Sequence, residues 1–203
     1  MHKKHDPYTC CPEETHLRIK DLHRLEVKGW KKIFQANGQE KKAGVALLIL
    51  DKTDFKTKAI KGDIEGHVII LKEKIHQEDI NIINIYAPNT GAPKYIRKIL
   101  EDFKKNIESN TLILGDFNTP LSTKDKSSKQ NTNKDIVASN NALDQMDLTD
   151  IYRTFHPKEA KYTFLSNAHG TFSKTDLMIR YKTSLKNSRK LKSHRAFSQI
   201  SIT

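Results

Sequence analysis

The chain contains 203 residues, with 36 Lys and Arg against 24 Asp and Glu, and its formal net charge is +12. A single domain is expected at this length, and the lack of any apolar stretch of roughly 18 residues excludes a membrane-spanning helix and a membrane partner. Only two cysteines occur, Cys10 and Cys11, which excludes a disulfide framework and favours a reducing, intracellular location, nuclear or cytoplasmic. The basic charge favours a polyanionic partner but indicates affinity rather than chemistry.

Apolar runs of strand length occupy the middle of the chain. β-Branched residues are frequent in residues 43–50, 67–71 and 80–86, and polar residues bound these runs. The pattern predicts three strands, of which the last two form a hairpin. Apolar residues at helical spacing predict an amphipathic helix over residues 92–107. A short buried strand is predicted next, at residues 110–114.

The pattern weakens after this strand. Residues 122–133 are polar and lack apolar periodicity, which predicts a long surface loop. Residues 139–148 predict a short helix with Ser139 as its N-cap. Residues 162–165 and 171–173 predict a second hairpin. This succession of strands and helices is typical of a layered α/β protein.

The last part of the chain has a different composition. Residues 177–203 contain no acidic residue and seven basic ones, Arg180, Lys182, Lys186, Arg189, Lys190, Lys192 and Arg195. A run of positive charge of this kind is usually a solvated or disordered tail. We therefore expect a structured domain over residues 1–186 and a basic, disordered tail over residues 187–203.

A carboxylate and an amide follow the buried strand at residues 110–114. Asp116 and Asn118 are two residues apart, a spacing that places both side chains on the same side of an extended segment. Layered α/β folds have their sites at the carboxyl ends of strands, where such a pair can activate a water molecule and hold a phosphate oxygen. An ordinary strand-to-turn transition explains the same residues equally well.

Three further polar residues stand near predicted strands. Glu14 lies in a polar cluster, and Mg²⁺ prefers one or two carboxylates with several waters, although an exposed charged turn is the commoner explanation. Tyr86 ends a predicted strand, where most tyrosines are half-buried sheet residues. Asp176 has the features of an exposed loop acid. Each of these signals is weak by itself.

Taken in chain order, these segments resemble one protein family. Pro12–His16, Asn84–Asn89, Leu114–Pro120 and Tyr162–Phe164 with Ser173–Asp176 resemble the exonuclease III-like endonuclease/exonuclease/phosphatase family. A closer resemblance is to the endonuclease domain of the second open-reading-frame protein of LINE-type (non-LTR) retrotransposons. It covers residues 6–186 and rests on residues 29–34, 41–46, 51–58, 90–96 and 152–157.

The resemblance implies a four-layer α/β sandwich and Mg²⁺-dependent nicking of DNA, with Mn²⁺ as a substitute metal and no small-molecule cofactor. It implies that Glu14 binds the metal and that Tyr86 contacts the scissile phosphate. Asp116 and Asn118 match the pair that activates the water and holds the phosphate, and Asp176 matches the acid that orients a catalytic histidine. We expect the chain to lack the reverse transcriptase region of the parent element.

The sequence also departs from the family pattern. The family's first strand, which carries an active-site asparagine, has no match, so we expect the fold to be incomplete at both ends. The family motif Ser-x-Ile-Asp-His is replaced by the segment Ser173–Leu177, and the closing Ser-Asp-His has no match, since Ser193-His194 lacks the aspartate. We expect a catalytically impaired hydrolase; the alternative is a non-catalytic, pseudogene-like remnant with residual basic nucleic-acid binding.

Overall fold

The computed structural model describes residues 9–11, 30–36, 44–50, 55–75, 78–105, 107–122, 125–127, 134–159, 162–166, 171–188 and 200–202. The first six strands are β1 (Thr9–Cys11), β2 (Trp30–Ala36), β3 (Val45–Leu50), β4 (Phe55–Gly62), β5 (Val68–Ile75) and β6 (Glu78–Tyr86). Then follow α1 (Ala92–Phe103), β7 (Thr111–Asp116), α2 (Lys134–Gln145), β8 (Leu148–Asp150), α3 (Ile151–Phe155), β9 (Phe164–Ser166), β10 (Thr171–Ser173), β11 (Asp176–Tyr181), α4 (Lys182–Ser188) and β12 (Ile200–Ile202).

The chain divides into two compact units, the first made of Met1–Tyr86 with Lys186–Thr203 and the second of Ala87–Leu185. The first unit contains a four-stranded sheet in the order β12-β1-β3-β2. Its strand β3 is buried from Val45 to Ile49 and pairs antiparallel with both β1 and β2. This confirms the strand predicted over residues 43–50.

Residues 187–203 were expected to form a disordered tail, but the structure contains strand β12 within this range. Ile200–Ile202 pair in parallel with β1, in a register that sets Ile200 opposite Thr9. Residues 189–199, with the Ser193-His194 pair, lie outside the described residues.

Strands β4, β5 and β6 form an antiparallel meander in the first unit. The hairpin of β5 and β6 confirms the prediction from residues 67–71 and 80–86. In β6, every residue from Ile80 to Tyr86 is buried. The side chain of Asn84 in β6 donates a hydrogen bond from Nδ2 to the Ala46 carbonyl of β3 at 3.2 Å. This buried bond links the meander to the first sheet.

In the second unit, helices α1 and α2 pack against each other. α1 confirms the predicted helix but ends at Phe103, and it buries Ala92, Ile96 and Leu100 along one stripe. α2 begins at Lys134, before the expected start, so the prediction of Ser139 as an N-cap is wrong. Ser139 lies inside the helix, where its hydroxyl donates to the Pro93 carbonyl at 2.9 Å. Among all described residues, no helix has both the length and the apolar character needed to cross a membrane.

Strand β11 pairs antiparallel with β7 on one side and with β8 on the other. The basic composition of residues 177–203 gave no indication of this strand. Its apolar residues alternate, however: Leu177 and Ile179 are buried, whereas Met178 and Arg180 are partly exposed. β9 and β10 form the antiparallel hairpin that the sequence predicts.

Candidate active site

Asp116 and Asp176 lie directly opposite each other on neighbouring antiparallel strands, Asp116 at the end of β7 and Asp176 at the start of β11. Residues opposite each other in such a pair carry their side chains on one face, with Cβ atoms about 4.5–5.5 Å apart. Asp176 is half-buried rather than an exposed loop acid. Burial raises the pKa of its carboxyl, and the negative charge of Asp116 raises this pKa further. We call these two residues the carboxylate pair.

Asn118 joins the carboxylate pair through a tight turn. Its backbone has a left-handed conformation with φ of 45°, which asparagine tolerates better than most residues. The Asn118 N–H donates to Asp116 Oδ1 at 2.8 Å, and Asn118 Nδ2 donates to the Ala87 carbonyl at 2.7 Å. The two side chains therefore come together by a side-chain-stabilised turn, and not by the alternation of an extended strand on which the sequence prediction relied.

Phe117, between the two polar residues, anchors this turn. Its side chain has no exposed surface, and its N–H donates to the Thr175 carbonyl at 3.0 Å. The chain after β7 is thereby fixed to the residue that precedes Asp176. Sequence reasoning did not single out Phe117, although an aromatic residue between two polar ones after an apolar strand is a signal for such an anchor.

Thr163 is a second residue that sequence reasoning did not select. Its hydroxyl oxygen accepts the N–H groups of Thr175 and Asp176 at 3.0 and 3.2 Å. The same hydroxyl donates to the Asp176 carboxylate, which lowers the pKa of that carboxyl and opposes the effect of burial. Thr163 lies in the Tyr162–Phe164 segment that carries the family resemblance, and this was the only signal for it.

Tyr86 ends β6 in the first unit, and only 4% of its surface is exposed. It lies opposite His67, the residue directly before β5. The Tyr86 N–H donates to the His67 carbonyl at 2.8 Å, and His67 Nδ1 donates to the Tyr86 carbonyl at 2.8 Å. The two rings stack with centroids 5.9 Å apart. The tyrosine is thus more deeply buried than the half-buried position expected from the sequence.

Glu14, the predicted metal ligand, lies outside the described residues. Where the structure does describe the chain, no three His, Cys, Asp or Glu side chains come together as a complete metal site. The described part of the site therefore consists of the carboxylate pair, Asn118 and Thr163, with Tyr86 described in its own unit.

The pKa of Asp63, a residue in the turn before His67, predicts how the stability of the protein depends on pH. Its Oδ1 accepts the Val68 N–H at 2.7 Å, and burial raises its pKa, with this hydrogen bond and His67 acting in the opposite direction. A raised pKa in the folded state contributes stability below the unfolded-state pKa, and this contribution is lost as pH rises through the folded-state pKa. Wild type is therefore expected to lose stability relative to Asp63→Asn as pH rises from acid to neutral.

Urea unfolding of both proteins at several pH values measures this difference. Asp63→Asn keeps an oxygen that accepts the Val68 N–H, so it changes the charge with little change in geometry. If wild type instead gains stability relative to the variant as pH rises, the pKa of Asp63 is lowered by folding and the assignment is wrong.

Solved structures of DNA-processing enzymes share this architecture. An AP endonuclease, LMAP of Leishmania major, is similar with a TM-score of 0.67 and 14% identity, over 87% of this chain and 70% of that one. The Xenopus laevis APE2 catalytic domain is similar with a TM-score of 0.68 and 14% identity, over 87% of this chain and 74% of that one. The endonuclease domain of TRAS1, a telomere-specific non-LTR retrotransposon, has a TM-score of 0.60 and 14% identity, over 89% of this chain and 88% of that one.

The chain has the endonuclease/exonuclease/phosphatase fold. The α/β class predicted from the succession of strands and helices and the family resemblance are both confirmed. Incompleteness of the fold at both ends stays a prediction. A Xenopus laevis relative, the uncharacterized 149 kDa protein of transposon TX1, is 24% identical over 169 residues, which is 80% of this chain. The chain spans 13% of that relative's length. No protein-family model matches the chain.

Proposed function

We propose that this chain is a Mg²⁺-dependent DNA phosphodiesterase, a nicking endonuclease of the exonuclease III and AP endonuclease type, with an impaired rate. The observation that carries the proposal is the register that sets Asp116 directly opposite Asp176. Similar structures include AP endonucleases and a retrotransposon endonuclease domain, which supports DNA as the substrate. The similarity to a transposon protein supports an origin in a mobile element.

The residues present fit a divalent cation. Asp116 and Asp176 are opposed carboxylates, and the pKa of Asp176 is raised by burial and then by the charge of Asp116. A bound cation relieves the repulsion between the two charges. Oxygen ligands of this kind suit Mg²⁺, and Mn²⁺ in its place. Asp116 and Asp176 would hold the ion. The family resemblance assigns Glu14 to the metal. When bound, it supplies stabilisation of the extra negative charge on the phosphate as the leaving oxygen departs.

The chain's own residues position the reactants and move the proton. The Asp116 carboxylate takes a proton from the attacking water as general base, and the Asn118 N–H fixes the orientation of its Oδ1. Thr163 fixes the backbone and carboxylate of Asp176. Asn118 and Tyr86 are assigned to the phosphate, an assignment supported by the family resemblance.

The proposed impairment rests on two family features without a match in the sequence, the active-site asparagine of the first strand and the closing Ser-Asp-His. Leu177 is a further departure: it replaces the histidine that follows the aspartate in the motif Ser-x-Ile-Asp-His, and it is 1% exposed. Loss of a group that transfers protons typically lowers a rate by about 10²–10⁴-fold, so slow nicking is expected rather than none.

A supercoiled plasmid measures this activity directly, because a single nick converts it to the relaxed circle. We expect slow Mg²⁺-dependent nicking by the whole chain, which disappears with EDTA and returns when Mg²⁺ or Mn²⁺ is added in excess. DNA binding that weakens steeply with salt, without nicking at any metal concentration, would contradict the proposal and favour the non-catalytic remnant, since phosphate contacts dominate such binding.

A further inference from the structure

A buried lysine lies two residues before Asp176. The side chain of Lys174 is 8% exposed, and its Nζ forms an ion pair with the Asp150 carboxylate. The same Nζ lies 4.6 Å from the centroid of the Tyr152 ring. Lysine is almost never fully buried unless it is paired, so this ammonium is held in place by an anion and an aromatic face.

A second buried ion pair is attached to the same lysine through its backbone. The Lys174 N–H donates to the Asp125 carbonyl at 2.8 Å. The Asp125 carboxylate, 3% exposed, pairs with Arg153 and accepts the Ser122 N–H at 2.9 Å. Arg153 also donates to the Ser122 hydroxyl. Two carboxylates are thus balanced by two cations, a set that we call the lysine network (Asp125, Asp150, Arg153 and Lys174).

The lysine network and Thr163 hold the short segment before β11 from two ends. Lys174 is fixed through both its backbone and its side chain, and the next residue, Thr175, bonds through its N–H to Thr163 and through its carbonyl to Phe117. Every residue from Lys174 to Asp176 therefore has a backbone group fixed by a partner distant in sequence. The strand that begins at Asp176 starts from a rigid point.

We propose that Lys174 is a positioning residue for the carboxylate pair. Through the backbone of Thr175, it fixes the start of β11, where Asp176 faces Asp116. Its Nζ is occupied by Asp150 and Tyr152 and is buried, so it acts on the pair through the backbone rather than by touching metal or DNA. The inference rests on the proposed function and extends it to a residue outside the carboxylate pair. Loss of a group that orients metal ligands without touching the metal typically changes metal affinity or activity by about 10–100-fold.

Two substitutions separate positioning from general stability. Lys174→Met keeps the length of the side chain but removes the ion pair, whereas Lys174→Arg keeps the charge and restores the contact with Asp150. We expect Lys174→Met to lower kcat for plasmid nicking by about 10–100-fold with little change in KM, and Lys174→Arg to recover most of the loss. Lys158→Met, at an exposed lysine, is the matched control and should equal wild type.

Mn²⁺ affinity, measured by electron paramagnetic resonance on the folded chain, is the readout that needs no turnover. Lys174→Met should weaken it by about 10-fold or more, and Lys174→Arg should not. If wild type does not nick but shows this pattern of Mn²⁺ affinity, the proposed function fails and the inference stands. If wild type nicks and Lys174→Met equals it in both measurements, the inference is overturned and the function stands.

Removing Lys174 alone leaves the Asp150 charge buried without its cation, which can prevent folding. The double variant Lys174→Met with Asp150→Asn avoids this, because asparagine caps α3 as well as aspartate does and carries no charge. The double variant should fold and show the same losses in kcat and Mn²⁺ affinity. A folded double variant with wild-type values, or a wild-type chain that binds no Mn²⁺, overturns the inference.

Discussion

Asp116→Ala is expected to lower the rate of Mg²⁺-dependent plasmid nicking by about 10²–10⁴-fold, the range typical of a lost general base. Asp116 is the residue in which the separate features of the site meet. It faces Asp176 across the sheet, and its Oδ1 accepts the Asn118 N–H at 2.8 Å. Its backbone carbonyl also accepts the Ala87 N–H at 2.9 Å, a contact that the substitution preserves.

Asp116→Asn separates the two roles of the side chain. Asparagine keeps an oxygen that accepts the Asn118 N–H and so preserves the turn, but it has no negative charge to accept a proton or attract a cation. The same loss of nicking is therefore expected for both variants. Asp102→Ala, at an exposed carboxylate of α1, is the matched control for protein quality. Nicking retained by Asp116→Asn would show that the charge is not needed and would remove the basis of the proposed mechanism.

The strands that the sequence predicts correctly are those with continuous apolar, β-branched runs. β3 and β7 are of this kind, because a strand buried on both faces is rich in apolar residues. β5 and β6 contain shorter runs of the same type, although β6 also buries Asn81 and Asn84. β4 and β11 were missed since Lys, Thr and Arg interrupt their apolar residues. Such strands are stabilised by the partners with which they pair, which a local pattern does not contain.

The candidate site shows the same division between local and distant information. Asp116 and Asn118 could be found from the sequence because the strand end and the turn are adjacent in the chain. Thr163 and Lys174 could not be found in this way, since their partners Asp176 and Asp150 lie 13 and 24 residues away. Asp176 was found only through the family resemblance, because the alternation of Leu177 and Ile179 that follows it is too short to predict a strand.

The buried ring of Phe117 connects the stability of the second unit with the geometry of the site. Phe117→Ala is expected to lower the free energy of unfolding by about 3–5 kcal/mol, because a fully buried phenylalanine loses its apolar contacts and leaves a cavity. This is a large part of the total stability of about 5–15 kcal/mol that is usual for a protein. Phe117 stands between Asp116 and Asn118 in the chain, so the same variant is expected to loosen the turn that joins them.

Urea unfolding measures the loss, and the chain offers a matched control with the same change of side chain. Phe172, on β10, is 45% exposed, so Phe172→Ala removes less buried surface and should cost clearly less than Phe117→Ala. Phe117→Leu, which keeps most of the apolar volume, should fall between wild type and Phe117→Ala. Equal losses for Phe117→Ala and Phe172→Ala would mean that the ring of Phe117 is not packed as described, and the turn at Asn118 would then lack its anchor.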